Sequence, residues 1–205
     1  VRYNKALDQW NELLNRHPLS EQQAKVVRMR RAALRAQREL ADLLASAFSK
    51  KPELLVFNNL KFEQRGITVQ IDHLVLSRWA AYFIETKSVS GKISINADGQ
   101  WSRVYGRTPY SMESPLEQSK RHEIRLFDLL ESRLPEFMGK ILGMQKTFRK
   151  LLPVHHFVAV LVGTQMTGKG KKAVESHLKP LDLIPSLIAA DHQSIRGSLM
   201  GELVN

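Results

Sequence analysis

The 205-residue chain has no cysteine, only 11 glycines and 8 prolines, no low-complexity segment and no internal repeat. Without cysteine there is no disulfide framework, no thiol nucleophile, no cysteine-ligated zinc and no iron–sulfur cluster. No apolar run approaches the roughly 18 residues that a membrane-spanning helix needs. No span is therefore expected within this chain, and the expected location is cytoplasmic. The chain opens on Val1, which is compatible with an upstream signal, anchor or further domain.

Acidic residues are also scarce, 20 against 31 basic, for a net charge of +11. With 43% hydrophobic residues the chain is nevertheless folded rather than disordered, because it carries enough apolar surface for a core. Such a positive balance points to a polyanionic partner, most often nucleic acid, although an acidic membrane surface would give the same totals. Distribution is more informative. The net charge is +5 over residues 1–50, +1 over 51–100, +4 over 101–150 and +1 over 151–205. The near-neutral second block stands between two basic ones.

Residues 3–16 and 20–48 read as helices joined by a turn at His17-Pro18-Leu19-Ser20, with Ser20 as N-cap. In the second, Val26, Met29, Ala33, Ala36, Leu40, Leu43 and Ala47 form one apolar face. Arg28, Arg31, Arg35 and Arg38 form a stripe opposite, either a solvated face or a phosphate contact. Strands are expected at 54–57, 67–76 and 80–87, and a hairpin at Ala97-Asp98-Gly99. Ser114-Pro115-Leu116-Glu117 is a capping box opening a helix to about residue 132. A buried strand at 155–162, a helix at 173–179 and a strand at 187–190 complete the order, which makes an α/β or α+β fold with a mixed sheet.

The chemistry-bearing residues fall in the alternating block. Glu85 and Lys87 are two apart on one strand and share a face. A tight turn at either Ser77-Arg78 or Arg78-Trp79 brings Asp72 onto that face, diagonal to Glu85 or opposite it. Two carboxylates and one ammonium thus meet among Leu, Val, Phe and Ile. An internal salt bridge would explain one pair, but the second acid leaves net negative charge, which a hard divalent cation bound through oxygen would offset.

Asp72 followed by Glu85-Thr86-Lys87 resembles the D...(D/E)xK signature of the PD-(D/E)xK nuclease superfamily. Together with Gln70-Ile71-Asp72-His73, Ser90-Gly91-Lys92-Ile93, Gly99-Gln100-Trp101 and Ser114-Pro115-Leu116-Glu117-Gln118, it resembles the nuclease-related domain, NERD, over about residues 35–130. The resemblance implies a restriction-endonuclease-like mixed β-sheet flanked by helices at 35–205, behind an N-terminal helical extension at 1–34. It implies that Asp72 and Glu85 bind Mg²⁺, with Mn²⁺ as an alternative, and that Lys87 serves the attacking water. It makes Glu39 the candidate for a further metal-binding glutamate, although a boundary glutamate paired with Arg35 is an equal reading. The family motif commonly has a glycine pair before that glutamate, where this chain reads Ala36-Gln37-Arg38-Glu39. Gln118 matches the family's helical glutamine, and His122 lies one turn beyond it. Members often carry additional domains.

The implied function is Mg²⁺-dependent cleavage of nucleic acid, with DNA as the expected substrate; the alternative is a module that binds without cutting. The expected nucleic-acid contacts are Arg35, Arg38, Arg103, Arg107, Lys120, Arg121, His122, Lys169 and Lys171. Trp101 with Arg103 and Arg107 would make a flap over substrate, unless Trp101 is core. Finally, Gly163-Thr164-Gln165-Met166-Thr167-Gly168-Lys169-Gly170 is nearly a phosphate loop, but Gly170 stands where a hydroxyl should ligate Mg²⁺. A mobile basic loop is the favoured reading over nucleotide binding.

Overall fold

The computed structural model describes residues 2–16, 18–89, 91–105, 108–138 and 152–204. His17, Ser90 and Arg107 lie outside the described residues. The elements are α1 (Arg2–Arg16), α2 (Glu21–Phe48), β1 (Leu55–Gln64), β2 (Ile67–Leu76), β3 (Ala81–Lys87), β4 (Lys92–Ile95), β5 (Trp101–Tyr105), β6 (Thr108–Met112), α3 (Pro115–Met138), β7 (Val154–Val160), β8 (Gln165–Thr167), α4 (Lys171–Val174), β9 (Leu178–Pro180) and α5 (Ile184–Val204). Strands β1, β2 and β3 form an antiparallel meander, extended by parallel pairing of β7 to β3 and β9 to β7; β6-β5-β4-β8 make a second sheet. Helices flank the mixed sheet, in agreement with the restriction-endonuclease-like expectation. Among the described residues no helix is long and apolar enough to cross a membrane.

Local chemistry accounts for the joints. Ser20 accepts the Gln23 N–H through its hydroxyl while the Gln23 side chain accepts the Ser20 N–H, a reciprocal cap that starts α2. Arg65 and Gly66 both take positive φ, 50° and 74°, which lets a two-residue turn follow the twist of β1 and β2. The next turn sits at Arg78-Trp79, closed by Ser77 N–H to Ala80 O at 2.9 Å. Of the two expected registers, this is the one that pairs Leu74 with Phe83.

One side of the main sheet is covered by α2 and α5, where Leu40, Leu44, Ile184 and Ile188 are wholly buried with Tyr82 and Ile84. Each such side chain contributes roughly 1.5–3 kcal/mol through burial. On the other side α3 packs Phe127 edge-on against Phe83, with ring centres 6.1 Å apart. His155 and His156, consecutive on β7, face opposite sides as alternation requires. His156 lies 2.9 Å from both Ser119 Oγ and Glu123 Oε2 on α3, and His155 lies 3.3 Å from Asp191 on α5.

Several expectations are corrected. The buried residues of α2 are Val27, Ala36, Leu40, Ala41, Leu44 and Phe48, whereas Val26 and Met29 are 50% and 41% exposed, because the first half of the helix packs on α1 rather than on the sheet. β1 is a ten-residue strand rather than a four-residue one, its outer half hidden from pattern reading by Asn58, Asn59, Lys61 and Glu63. The expected strand at 187–190 lies inside α5: Pro185 suits a first helical turn, and Ile184 and Ile188 are buried one turn apart. The helix expected at 173–179 is only the short α4, after which β9 pairs with β7. β6 had no sequence signal.

The loop expected to be a mobile basic segment is pinned. β8 pairs with β4, Gly170 N–H donates to Ile95 O at 3.1 Å, and Lys171 N–H donates to Gly168 O at 3.2 Å. A Cβ on Gly168, which has φ +96°, would fall 2.0 Å from Ile95 O. These glycines are needed for close backbone approach, and the amides of Gly170 and Lys171 serve the fold rather than a phosphate. Gly168→Ala is therefore expected to cost about 2 kcal/mol in thermal or urea denaturation. Unchanged stability would remove this explanation of the motif.

Candidate active site

The ladder between β2 and β3 ends at His73 opposite Ile84. Asp72 and Glu85 are the next residues on each strand, and continuation of the register sets them opposite one another. Here the Asp72 carboxylate takes the place of the next ladder bond: its Oδ2 accepts the Thr86 N–H at 3.0 Å. Its Oδ1 accepts from Gln37 Nε2 of α2 at 2.6 Å. Glu85 Oε1 accepts from Lys87 Nζ at 2.7 Å, and the same ammonium donates to Gln118 Oε1 of α3 at 3.2 Å. Asp72 and Glu85 are 6% and 5% exposed, so the two acids are held in a low-dielectric opening of the sheet.

Electrostatics follows from this burial. The Glu85 carboxyl is pushed up to about 7, first by desolvation, then by the Asp72 charge and more weakly by Glu113, against the opposing pull of Lys87. Asp72 is also raised by burial, against the lowering effects of the Thr86 N–H, Gln37 and Lys87. One ammonium does not compensate two buried carboxylates. His122 of α3 is held below its usual range, chiefly by burial and then by Arg121, with Lys87 and Arg125 acting in the same sense.

Asp72, Glu85, Lys87 and Gln118 are thus brought together, with His122 close enough to feel Lys87. Glu39 does not join them. It is exposed and lines a groove with Arg35, Arg38 and Asp42 against α1. Gln37 reaches Asp72 instead, and two residues along a helix rotate a side chain by about 200°. The expectation that Glu39 would reach the sheet is corrected on that ground.

The expected nucleic-acid contacts are dispersed. Arg35 and Arg38 are exposed on the α1 side of α2, with Arg38 3.5 Å from Asp42. Lys120 pairs with Glu117 at 2.9 Å, Arg121 with Glu113, and Lys171 with Glu175 at 3.2 Å. Such exposed pairs are worth about 0–1 kcal/mol and yield readily to a phosphate. Lys169 is exposed and Arg103 half-buried. Trp101 is 2% exposed within the second sheet's core, so it is not a flap.

Sequence reasoning missed Gln37, Glu113, Arg125 and Tyr3 of α1, all within electrostatic or hydrogen-bond reach of the cluster or of His122. Only Glu113, adjoining the Ser114 capping box, had a local signal. Asn59 was also missed: it stands across β1 from Asp72 with φ 53°, and its Oδ1 is buried without a partner among the described residues.

Comparison with known proteins bears on what this cluster is. The family model of the nuclease-related domain matches residues 32–161, a span that contains Gln37, Asp72, Glu85, Lys87 and Gln118. The chain belongs to the NERD family. An uncharacterized protein of Bacillus anthracis is similar to it, 26% identical over 102 residues that make up 49% of this chain and 48% of that protein. The chain thus spans about half the length of the curated relative it matches. No solved structure matches. The NERD match begins part-way along α2, so α1 and residues 21–31 of α2 precede it. The matching family is described as a nuclease-related domain.

Proposed function

We propose that this NERD chain is a metal-dependent nuclease that hydrolyses phosphodiester bonds, with DNA as substrate, at Asp72, Glu85 and Lys87. The observation that carries the reading is the pair of buried carboxylates set opposite one ammonium where the β2–β3 ladder opens. That arrangement fits a hard cation: the donors are oxygens, and burial, with the Asp72 charge second, has driven Glu85 up to about 7. Asp72 and Glu85 would hold Mg²⁺ or Mn²⁺. Among the described residues no group of three or more His, Asp or Glu side chains is placed to hold a metal, so water and phosphate oxygens would complete the coordination. Bound there, the ion would neutralise phosphate charge and make water a better nucleophile.

The chain's own residues supply the remaining parts. Gln37 and the Thr86 N–H fix the Asp72 carboxylate in one orientation. Glu85 and Gln118 hold the Lys87 ammonium, whose remaining N–H orients the attacking water and offsets charge that develops on the phosphate. Water attacks phosphorus in line as the P–O ester bond breaks. The basic side chains of α2 and α3 hold the flanking backbone.

The test is incubation of end-labelled single- and double-stranded DNA and RNA with Mg²⁺ or with EDTA, alongside binding at rising salt. Cleavage is expected only with the metal, and binding should weaken log-linearly with salt by close to one unit of slope per phosphate contacted. Binding without cleavage on every substrate would overturn the nuclease reading in favour of a non-cutting module. Salt-insensitive binding would overturn the role given to the basic residues.

A further inference from the structure

Two walls run outward from the carboxylate cluster and meet again at a distance. The first is α2, where Gln37 Nε2 donates to Asp72 at 2.6 Å. Lys25 stands about 18 Å back along the same helix, by the rise of its intervening residues. Val27 is buried where the first half of α2 packs on α1, and two residues turn a helix by about 200°, so Lys25 projects away from α1. Arg28, Met29 and Ala32 lie on the Lys25 side, and all are exposed.

The second wall is the β5–β6 hairpin. β6 ends at Met112, two residues before Ser114, whose carbonyl accepts the Gln118 N–H at 3.0 Å, and Gln118 holds Lys87. Trp101 and Met112 pair across the hairpin and pack in the core under the second sheet. Arg103 and Tyr110, the next pair on that face, lie beyond the core: Arg103 is half-buried and Tyr110 is 51% exposed. There the hairpin meets α2, with Lys25 Nζ 5.8 Å from the centre of the Tyr110 ring. Facing surfaces that stay exposed mark an open groove between these walls, closed at its far end by Lys25 and Tyr110.

The groove has the chemistry of a single-strand site, an exposed aromatic ring among cations. A duplex covers the faces of its bases and leaves nothing for Tyr110 to stack on. We propose that this groove binds single-stranded DNA that runs on to Asp72 and Glu85, with Tyr110 stacking on a base and Lys25, Arg28 and Arg103 holding the backbone. Its length suits about five nucleotides at a spacing of about 3.4 Å. The assignment rests on the nuclease reading for what happens to the strand at the cluster.

Tyr110→Ala and Lys25→Ala, both at exposed positions, test the groove in the full chain. Binding is measured with Ca²⁺ in place of Mg²⁺ on a single-stranded oligonucleotide and on a duplex of the same sequence, and cleavage of the single strand is followed with Mg²⁺. Tyr110→Ala should weaken single-strand binding about tenfold and leave duplex binding unchanged, and Tyr110→Trp should keep the single-strand affinity. Lys25→Ala should lower the salt slope of single-strand binding by about one. Equal single-strand affinity in wild type and Tyr110→Ala, or the same loss on duplex, would overturn the assignment and leave the nuclease reading standing in a protein that cleaves. An unchanged salt slope in Lys25→Ala would overturn it as well. A wild type that binds single strands through Tyr110 yet cleaves nothing would support the groove and overturn the nuclease reading.

Discussion

Replacing Glu85 by alanine is expected to lower Mg²⁺-dependent cleavage about a thousandfold, the scale set by loss of one preorganised charged group in a water-excluded site. Glu85 is 5% exposed and anchors Lys87 at 2.7 Å, so the change removes one of two carboxylates and releases the ammonium from its position. The fold should survive, since the ionised carboxylate is itself disfavoured in the folded protein. Lys87 is 17% exposed along its side chain and retains Gln118. Lys87→Ala should lower cleavage about a hundredfold while leaving both acids in place. Equal turnover in the wild type and both variants, compared on the same DNA, would assign the cleavage to something outside this cluster.

Glu85→Gln is expected to stabilise the metal-free protein at pH 8 by on the order of 3 kcal/mol, or about 6–12 °C in melting temperature. The sign follows from linkage. A carboxyl whose folded pKa is about 7 against an ordinary 4.5 binds more protons folded than unfolded between those values. Its unfavourable contribution therefore appears as pH rises from about 4.5 and is complete above about 7. Asp72, also raised, acts in the same direction. His73, buried and lowered to about 3, acts oppositely, adding stability as pH rises towards 6.5, as do His122 and His156. The raw pH profile therefore mixes opposing trends. The difference between variant and wild type isolates Glu85: near zero at pH 4.5, growing through neutrality and level at pH 8. Saturating Mg²⁺ should shrink it by stabilising the charged wild type. Identical melting temperatures in EDTA at pH 8 would contradict the burial account.

The α2 helix shows how far the site could be read in advance. The apolar pattern suggests a face through Ala36, Leu40, Leu43 and Ala47, and on that wheel Glu39 lies at its edge. The packed face is centred instead on Leu40, Ala41, Leu44 and Phe48. A rotation of about one residue turns Glu39 to solvent and Gln37 towards Asp72. Several apolar phases were available to this alanine-rich helix, and only the sheet beneath it selects among them. Residues 187–190 show the same limit: a short apolar run suits strand or helix, and burial of Ile184 and Ile188 against α2 decides for helix.

What the sequence determined by itself is the chemistry and its local frame. The absence of cysteine restricts any metal to oxygen or imidazole, and alternation with one short turn brings Asp72 to Glu85 and Lys87. A hairpin's neighbours are near in sequence, so few arrangements compete. The tertiary structure alone decided which groups surround that cluster: Gln37 rather than Glu39 from α2, and Glu113 ahead of α3. Those contacts depend on helix phase and on docking across long stretches of chain, which are settled by the packing of buried side chains rather than by local pattern.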